Sequence, residues 1–312
     1  MSVRATAPSD LVQPGIGALP GIVEGGEIQV SGSAWKLAAY VFLENKLALV
    51  GLGYVVLMFL FCFVGPFIWR TNQINTDITQ ITQQPNGAHP LGTDIVGKDV
   101  LGQLMVGGQT SLEIGMAAAA IAIVIGVLWG AIAGFVGGWV DQLMMRIVDS
   151  LLAIPTLFLL LVLAAMYPAS LPMLIIIVGL VAWLVPARLI RGETLSLRTR
   201  EYVDAVRVMG GSSARIVLRH IIPNTIGTIM VNATFQVADA ILLVATLSYL
   251  GLGVPPPSTN WGDMLSDGVS YTYAGYWWLI FPAGIAIVTT VVAFNLIGDA
   301  MRDAFEVRLQ KR

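Results

Sequence analysis

The sequence predicts an all-α integral membrane protein: six transmembrane helices, both termini cytoplasmic, and a short cytoplasmic helix between the fourth and fifth spans. Three observations lead there. Of 312 residues, 56% are apolar and only 12% charged, with a mean hydropathy of +0.78. That balance suits lipid rather than water as the main solvent. The charges are gathered into a few segments, leaving uncharged apolar runs long enough to cross a bilayer. The basic residues then fall mainly on one side of those runs. The net charge of −2 says little beside that distribution. The single cysteine, Cys62, excludes an internal disulfide and reads as a buried filler.

Residues 1–35, rich in Gly, Pro, Ser and Ala, read as a disordered cytoplasmic tail, and 36–46 as a pre-membrane segment. No compact apolar core follows the basic start, so the first span is expected to be an uncleaved anchor. The six-helix permeation domain occupies 47–312. Its first span covers 47–69, between Lys46 and Arg70, and its second 114–140, between Glu113 and Asp141. Residues 150–187 are uncharged throughout, and as one helix would measure about 57 Å, too long for one crossing. The turn "YPASLP" (Tyr167–Pro172) divides them into spans 150–167 and 171–187. A fifth span, 226–250, carries Asp239, and a sixth covers 277–298.

With the amino terminus inside, the cytoplasmic side receives every Lys and Arg except Arg70 and Lys98. In the second span Gly126, Gly130, Gly134 and Gly138 recur every four residues, on one helical face, where another helix can approach closely. In the fifth, Thr228, Asn232, Gln236, Asp239 and Thr246 fall within an arc of about 80°. A polar stripe at membrane depth faces either a translocation path or a partner helix, and the sequence leaves both open.

Catalytic and cofactor motifs are missing. "GTDIVGKD" (Gly92–Asp99) imitates a phosphate-binding loop, yet Asp99 stands where a hydroxyl would hold Mg²⁺, and the segment lies outside. His89 and His220 fall on opposite sides of the membrane. No metal, no cofactor and no catalytic residue is expected in this chain.

The loop 188–225 is the chain's main charged segment. Glu201, Asp204 and Arg207 recur every three residues among Tyr202, Val203, Ala205, Val206, Val208 and Met209, giving a narrow charged edge and a wide apolar face. Gly210-Gly211 ends this helix; Ser212 or Ser213 caps a second, running to Ile222 and stopped by Pro223. Its arginines keep it out of lipid. The apolar face is then wet unless it lies on the membrane surface, enters a groove in a cytoplasmic partner, or belongs to a DNA-reading helix-turn-helix. A loop pinned between two spans is unsuited to the last, so no nucleic acid is expected.

"EYVDAVRVMGGSSARIVLRHIIPN" resembles the cytoplasmic loop of ABC-importer permeases: Glu-Ala-Ala, three residues, Gly, nine residues, Ile-x-Leu-Pro. Asp204-Ala205-Val206, Gly210 and His220-Ile221-Ile222-Pro223 occupy those places, with Asp for Glu, Val for Ala, His for Ile and Ile for Leu. "HPLGTDIVGKDVLGQL" (89–104), "GGWVDQLMMRIVDSLLAIP" (137–155), "LSYLGLGVPPPSTNWGDML" (247–265) and "NLIGDAMRDAFEVR" (295–308) look like blocks of the dipeptide/oligopeptide/nickel branch, C-type permease subunit, in the same order. The chain departs from that pattern at Val244, where these relatives usually have glutamate, at Lys98 for arginine, at Gln103 for a basic residue, and at Val307 within an Asp-Pro-Arg ending.

The resemblance implies a permease subunit of an ATP-driven importer in a bacterial cytoplasmic membrane. It would form half of a path for di- or oligopeptides, with nickel chelates or glutathione as alternative cargo. Partners would be a second homologous permease, two ABC ATPases holding ATP and Mg²⁺, and an extracytoplasmic binding protein. Glu201, Tyr202, Asp204, Ala205, Arg207 and Gly210 would contact an ATPase. A scaffold or receptor that passes nothing is the rival reading of another class; the polar stripe and the docking loop speak against it.

Overall fold

The computed structural model describes residues 34–71 and 75–310, so the expected tail lies outside the described residues as far as residue 33. The helices are α1 (Ala34–Glu44), α2 (Lys46–Phe63), α3 (Gly65–Ile68), α4 (Val100–Val136), α5 (Gly138–Leu152), α6 (Thr156–Met166), α7 (Leu171–Ala182), α8 (Leu184–Leu197), α9 (Glu201–Val208), α10 (Ser213–Ile216), α11 (Ile226–Tyr249), α12 (Trp261–Val269) and α13 (Phe281–Gln310). No β-strand occurs among the described residues. Four segments are long and apolar enough to cross a membrane: Lys46–Phe63, Val100–Val136, Ile226–Tyr249 and Trp277–Phe305. Two bent pairs raise the number to six: α5 with α6, turned by 84°, and α7 with α8, turned by 41°.

Boundaries differ from the sequence expectation for identifiable reasons. Asp99 caps α4, its Oδ1 accepting the Gly102 N–H at 2.7 Å, so this helix starts fourteen residues before Ile114. Gly137 (φ +69°) and Gly138 (φ +58°) end it at Val136 rather than 140, because the left-handed region breaks the hydrogen-bond run at little cost only for glycine. The interval 150–167 is not one helix: Pro155 cannot donate an N–H, and the chain turns at 153–155 into α6. With eleven residues, α6 is about 17 Å long, short of a hydrocarbon core of about 30 Å. The fourth span also overruns its expected end at 187, since α8 stays helical to Leu197 and tolerates Pro186 in its first turn.

Helix α4 is the hub, packed against α2, α5, α7, α8, α11 and α12, while α13 lies across α1, α2 and α11. One end of the bundle gathers the carboxyl ends of α4, α8 and α13 with α1 and α9. There Arg198 Nη1 donates to the Gly134 carbonyl at 3.0 Å, and Phe305 closes on Gly227. The opposite end is a cap of 77–99, α12 and 277–279, joined where Trp278 Nε1 donates to the Thr93 carbonyl at 3.2 Å. Between the ends, Leu57, Leu60, Val124, Leu128, Ile285 and Val288 form an exposed apolar belt of the kind a hydrocarbon core suits.

Candidate coupling and transport surfaces

The α4 glycines meet α8 at backbone distance. A Cβ at Gly126 would lie 2.6 Å from Pro186 Cβ, at Gly130 2.3 Å from the Ala187 carbonyl, and at Gly134 2.8 Å from the Arg191 carbonyl. Real Cβ atoms do not approach that closely, so the three glycines set this helix spacing. Gly138 does not belong with them: it starts α5, and a Cβ there would meet nothing within 4 Å. Two ion pairs fasten α8 to α5. Arg191 Nε and Nη2 clasp Asp141 at 2.5 and 2.6 Å, and Arg188 Nη2 reaches Asp149 at 2.5 Å.

Helix α9 hangs at that end of the bundle. Gly210 (φ +79°) turns the chain back, and the Gly211 N–H closes on the Val206 carbonyl at 2.9 Å. Ser212 then caps α10, its Oγ accepting the Arg215 N–H at 3.4 Å. The second helix is shorter than expected. After Ile216 the chain widens into a π-turn, Val217–Ile221, in which the Ile222 N–H reaches Val217; Pro223 offers no N–H to the Arg219 carbonyl, so the regular pattern cannot continue.

The apolar face of α9 is not left wet as a whole. Val203 is fully buried and Val206 partly so, packed with Val127, Ala131, Ile190, Ile216 and Ile221 of the same chain. What points away is Glu201, Tyr202, Asp204, Ala205, Arg207 and Gly210, all exposed. Arg207 Nη1 donates to Asp204 at 2.7 Å, and its guanidinium lies 6.0 Å from the Phe135 ring. Val208, 88% exposed, and Met209, 77% exposed, join this surface. The sequence reading put them on the apolar face but not among the contact residues; two apolar residues just before a helix-ending glycine were the available signal.

The polar stripe of α11 divides. Thr228 Oγ1 donates to Glu193 of α8, and Gln236, only 8% exposed, donates from Nε2 to the Ala182 carbonyl at 2.5 Å. Asn232 donates to the Thr228 carbonyl at 2.9 Å within its own helix, as Thr246 does to Leu242 at 2.8 Å. Asp239 is exposed. Gln236 is therefore internal glue, and the uncovered part of the stripe is Asp239 with Thr246. Val244, 1% exposed, lies among Ile114, Leu160, Ile177 and Leu247.

The phosphate-loop imitation is closed. Asp94 Oδ1 takes the N–H groups of Val96 at 2.9 Å and Lys98 at 2.7 Å, donors that a phosphate would need. His89 Nδ1 lies 2.7 Å from Asp99 Oδ2 and its Nε2 lies 2.8 Å from Gln80 Oε1, so this histidine belongs to the cap.

The bundle thus joins a hub helix, two bent spans and a short exposed helix held by one turn, and its likeness to known proteins places it among transport permeases. Residues 126–311 match the family described as binding-protein-dependent transport system inner membrane component, and the chain belongs to it. Residues 33–85 match the N-terminal TM domain of oligopeptide transport permease C. The chain is 42% identical over 279 residues, 89% of its length and 91% of the relative's, to "Oligopeptide transport system permease protein OppC" of Bacillus subtilis (strain 168). It is 39% identical to the OppC protein of Haemophilus influenzae, covering 90% of this chain and 91% of that one. To "Dipeptide transport system permease protein DppC" of B. subtilis it is 35% identical, covering 86% and 84%. Among solved structures, a chain of the inward-facing MetNI methionine ABC transporter superposes with a TM-score of 0.54 at 20% identity, over 66% of this chain and 96% of that one, which speaks for the fold alone. The protein is thus a multi-pass inner-membrane subunit of an ABC importer, not an enzyme, and its family context includes a permease partner and ATPases.

Proposed function

We propose that this chain forms half of the path by which an ATP-driven importer moves di- or oligopeptides into the cell. The observation that carries the reading is its identity, over nearly the full length, to permeases named for oligopeptide and dipeptide transport. In this reading both termini are cytoplasmic, as the distribution of Lys and Arg favours. A homologous permease supplies the other half of the path, two ATPases hold ATP and Mg²⁺, and an extracytoplasmic protein delivers the peptide. Helix α9 enters a cleft in one ATPase, with Val208, Met209 and Tyr202 as apolar contacts and the Asp204–Arg207 edge setting register. ATPase closure moves α9, and the buried Val203 passes that motion to α4 and α8.

The test is uptake of labelled peptides by vesicles holding the full complex with its binding protein. ATP-dependent accumulation is expected, together with peptide-stimulated ATP hydrolysis. Gly210→Glu, which puts a side chain on a left-handed residue, or Asp204→Arg should leave ATP hydrolysis running while uptake falls at least about tenfold. Undiminished uptake in both variants sinks the coupling assignment. A complex that accumulates metal chelates and no peptide sinks the cargo assignment.

A further inference from the structure

Asp239 is the fourteenth of the 24 residues of α11, within about 2 Å of the helix midpoint. Three carboxylates of α5 and α8 are paired within the chain: Asp141 and Asp149 meet arginines, and Glu193 accepts from Thr228. Asp239 has no such arrangement. Among the described residues it forms no ion pair, accepts no hydrogen bond and is exposed. Helix α11 carries no Lys, Arg or His. The nearby arginines of α8 are committed, Arg188 and Arg191 to α5 and Arg198 to the Gly134 carbonyl.

An unpaired carboxylate at mid-membrane is too costly to face lipid, so this side of α11 faces an aqueous path or another protein. The same side carries a second acid. Thr228, which holds Glu193, is eleven residues before Asp239 and about 20° away around the helix, hence about 16 Å nearer the end that bears α9. The face thus offers two acidic groups in line, and no base from α11 or α8 is free to neutralise the first.

We infer that Asp239 recognises a positively charged group of the cargo as it passes the membrane midplane, favouring peptides with a free ammonium or a basic side chain. The inference rests on the peptide-import reading above and deepens it. It does not extend to Gln236, whose amide is spent on α7.

Two measurements test it. In vesicles holding the full complex, Asp239→Asn should lower uptake of lysine-containing peptides about tenfold relative to acidic ones, the rate equivalent of one charge-assisted hydrogen bond, with Asp239→Glu restoring most of it. N-acetylated lysine peptides and neutral peptides with a free amine separate the two sources of positive charge. Equal loss for acidic, neutral and basic peptides overturns the inference in favour of a structural or subunit-pairing role, and unchanged uptake overturns it outright. The second measurement needs no cargo. Leu242, 42% exposed and one turn from Asp239, is replaced by cysteine; the native Cys62 is buried. A cationic methanethiosulfonate should react about tenfold faster than an anionic one, and Asp239→Asn should bring the ratio near one. Protection from both reagents, or a ratio indifferent to Asp239, overturns the inference even if the vesicles move no peptide, a result that would itself refute the import reading.

Discussion

The two ends of the bundle are built on opposite principles. The capped end is dense with internal bonds. Trp261, fully buried, donates from Nε1 to the Leu104 carbonyl at 3.0 Å and from its backbone to Ser111 Oγ at 3.1 Å. Asn260 Nδ2 donates to Ser248 Oγ at 2.8 Å, and His89, Asp99 and Gln80 interlock. The other end carries α9, eight residues long, tied down by Val203 and Val206 while Val208 and Met209 stand in solvent. A helix that short is not stable alone, so its order depends on what packs against it. The difference separates an anchored frame from a part able to follow a moving partner.

The largest effect should follow from breaking the frame. Trp261→Ala leaves a cavity and removes the indole's hydrogen bond to the Leu104 carbonyl, and should cost about 3–5 kcal/mol, read as a large fall in the unfolding temperature of the detergent-solubilised complex. A change within about 0.5 kcal/mol would show the cap to be no better anchored than α9.

At the opposite end, stability and coupling should separate. Val203→Ala removes two buried carbon groups and should cost about 1.5–3 kcal/mol. The pair Val208→Ser and Met209→Ser, both on exposed side chains, should change stability by no more than about 0.5 kcal/mol while depressing peptide-stimulated ATP hydrolysis. If the serine pair destabilises the isolated chain as much as Val203→Ala, those side chains are core and not a docking surface.

How far these ends were legible in the sequence follows from the physics of each signal. The long apolar runs of α2, α4, α11 and α13 were readable because lipid enforces composition over about twenty residues. The α4 glycines were readable at 126, 130 and 134 because four-residue spacing marks one helical face, and that logic failed at Gly138 because two positive-φ glycines had already ended the helix. The break at Pro155 was hidden inside an uncharged run, where hydropathy is uniform and only backbone geometry distinguishes a bend from a continuation. In the loop, periodicity gave an amphipathic α9 but not which apolar residues the bundle itself would cover. Val203 and Val208 are alike by composition, and only tertiary packing sends one inward and the other out. In the same way an 80° arc could not separate Gln236, which turns to α7, from Asp239, which is exposed and has no hydrogen-bond partner among the described residues.

The smallest expected effect sharpens the comparison through pH. In the cap, burial first and the neighbouring charge of Asp267 second push the Asp263 carboxyl from 3.8 up to about 7, against the hydrogen bonds it receives from Asn260 and Ser248. Asp267 is raised too, by burial and by Asp94, with Lys98 acting in the opposite sense. A carboxyl whose folded value lies above its unfolded one binds its proton more tightly in the folded state. Its contribution is fully present below about pH 4 and is lost as pH rises through about 7. The amides of α12 should therefore exchange with solvent several-fold more readily at pH 8 than at pH 5.5, once intrinsic rates are corrected. Asp263→Asn, which keeps the shape and cannot ionise, should remove most of that difference, with α9 in the same sample as the internal reference. If the asparagine variant keeps the full pH dependence, the response does not originate at Asp263. If α9 shows the same dependence as α12, the two ends are coupled at equilibrium and the anchored frame reaches further toward the docking end than the hydrogen bonds of the cap alone imply.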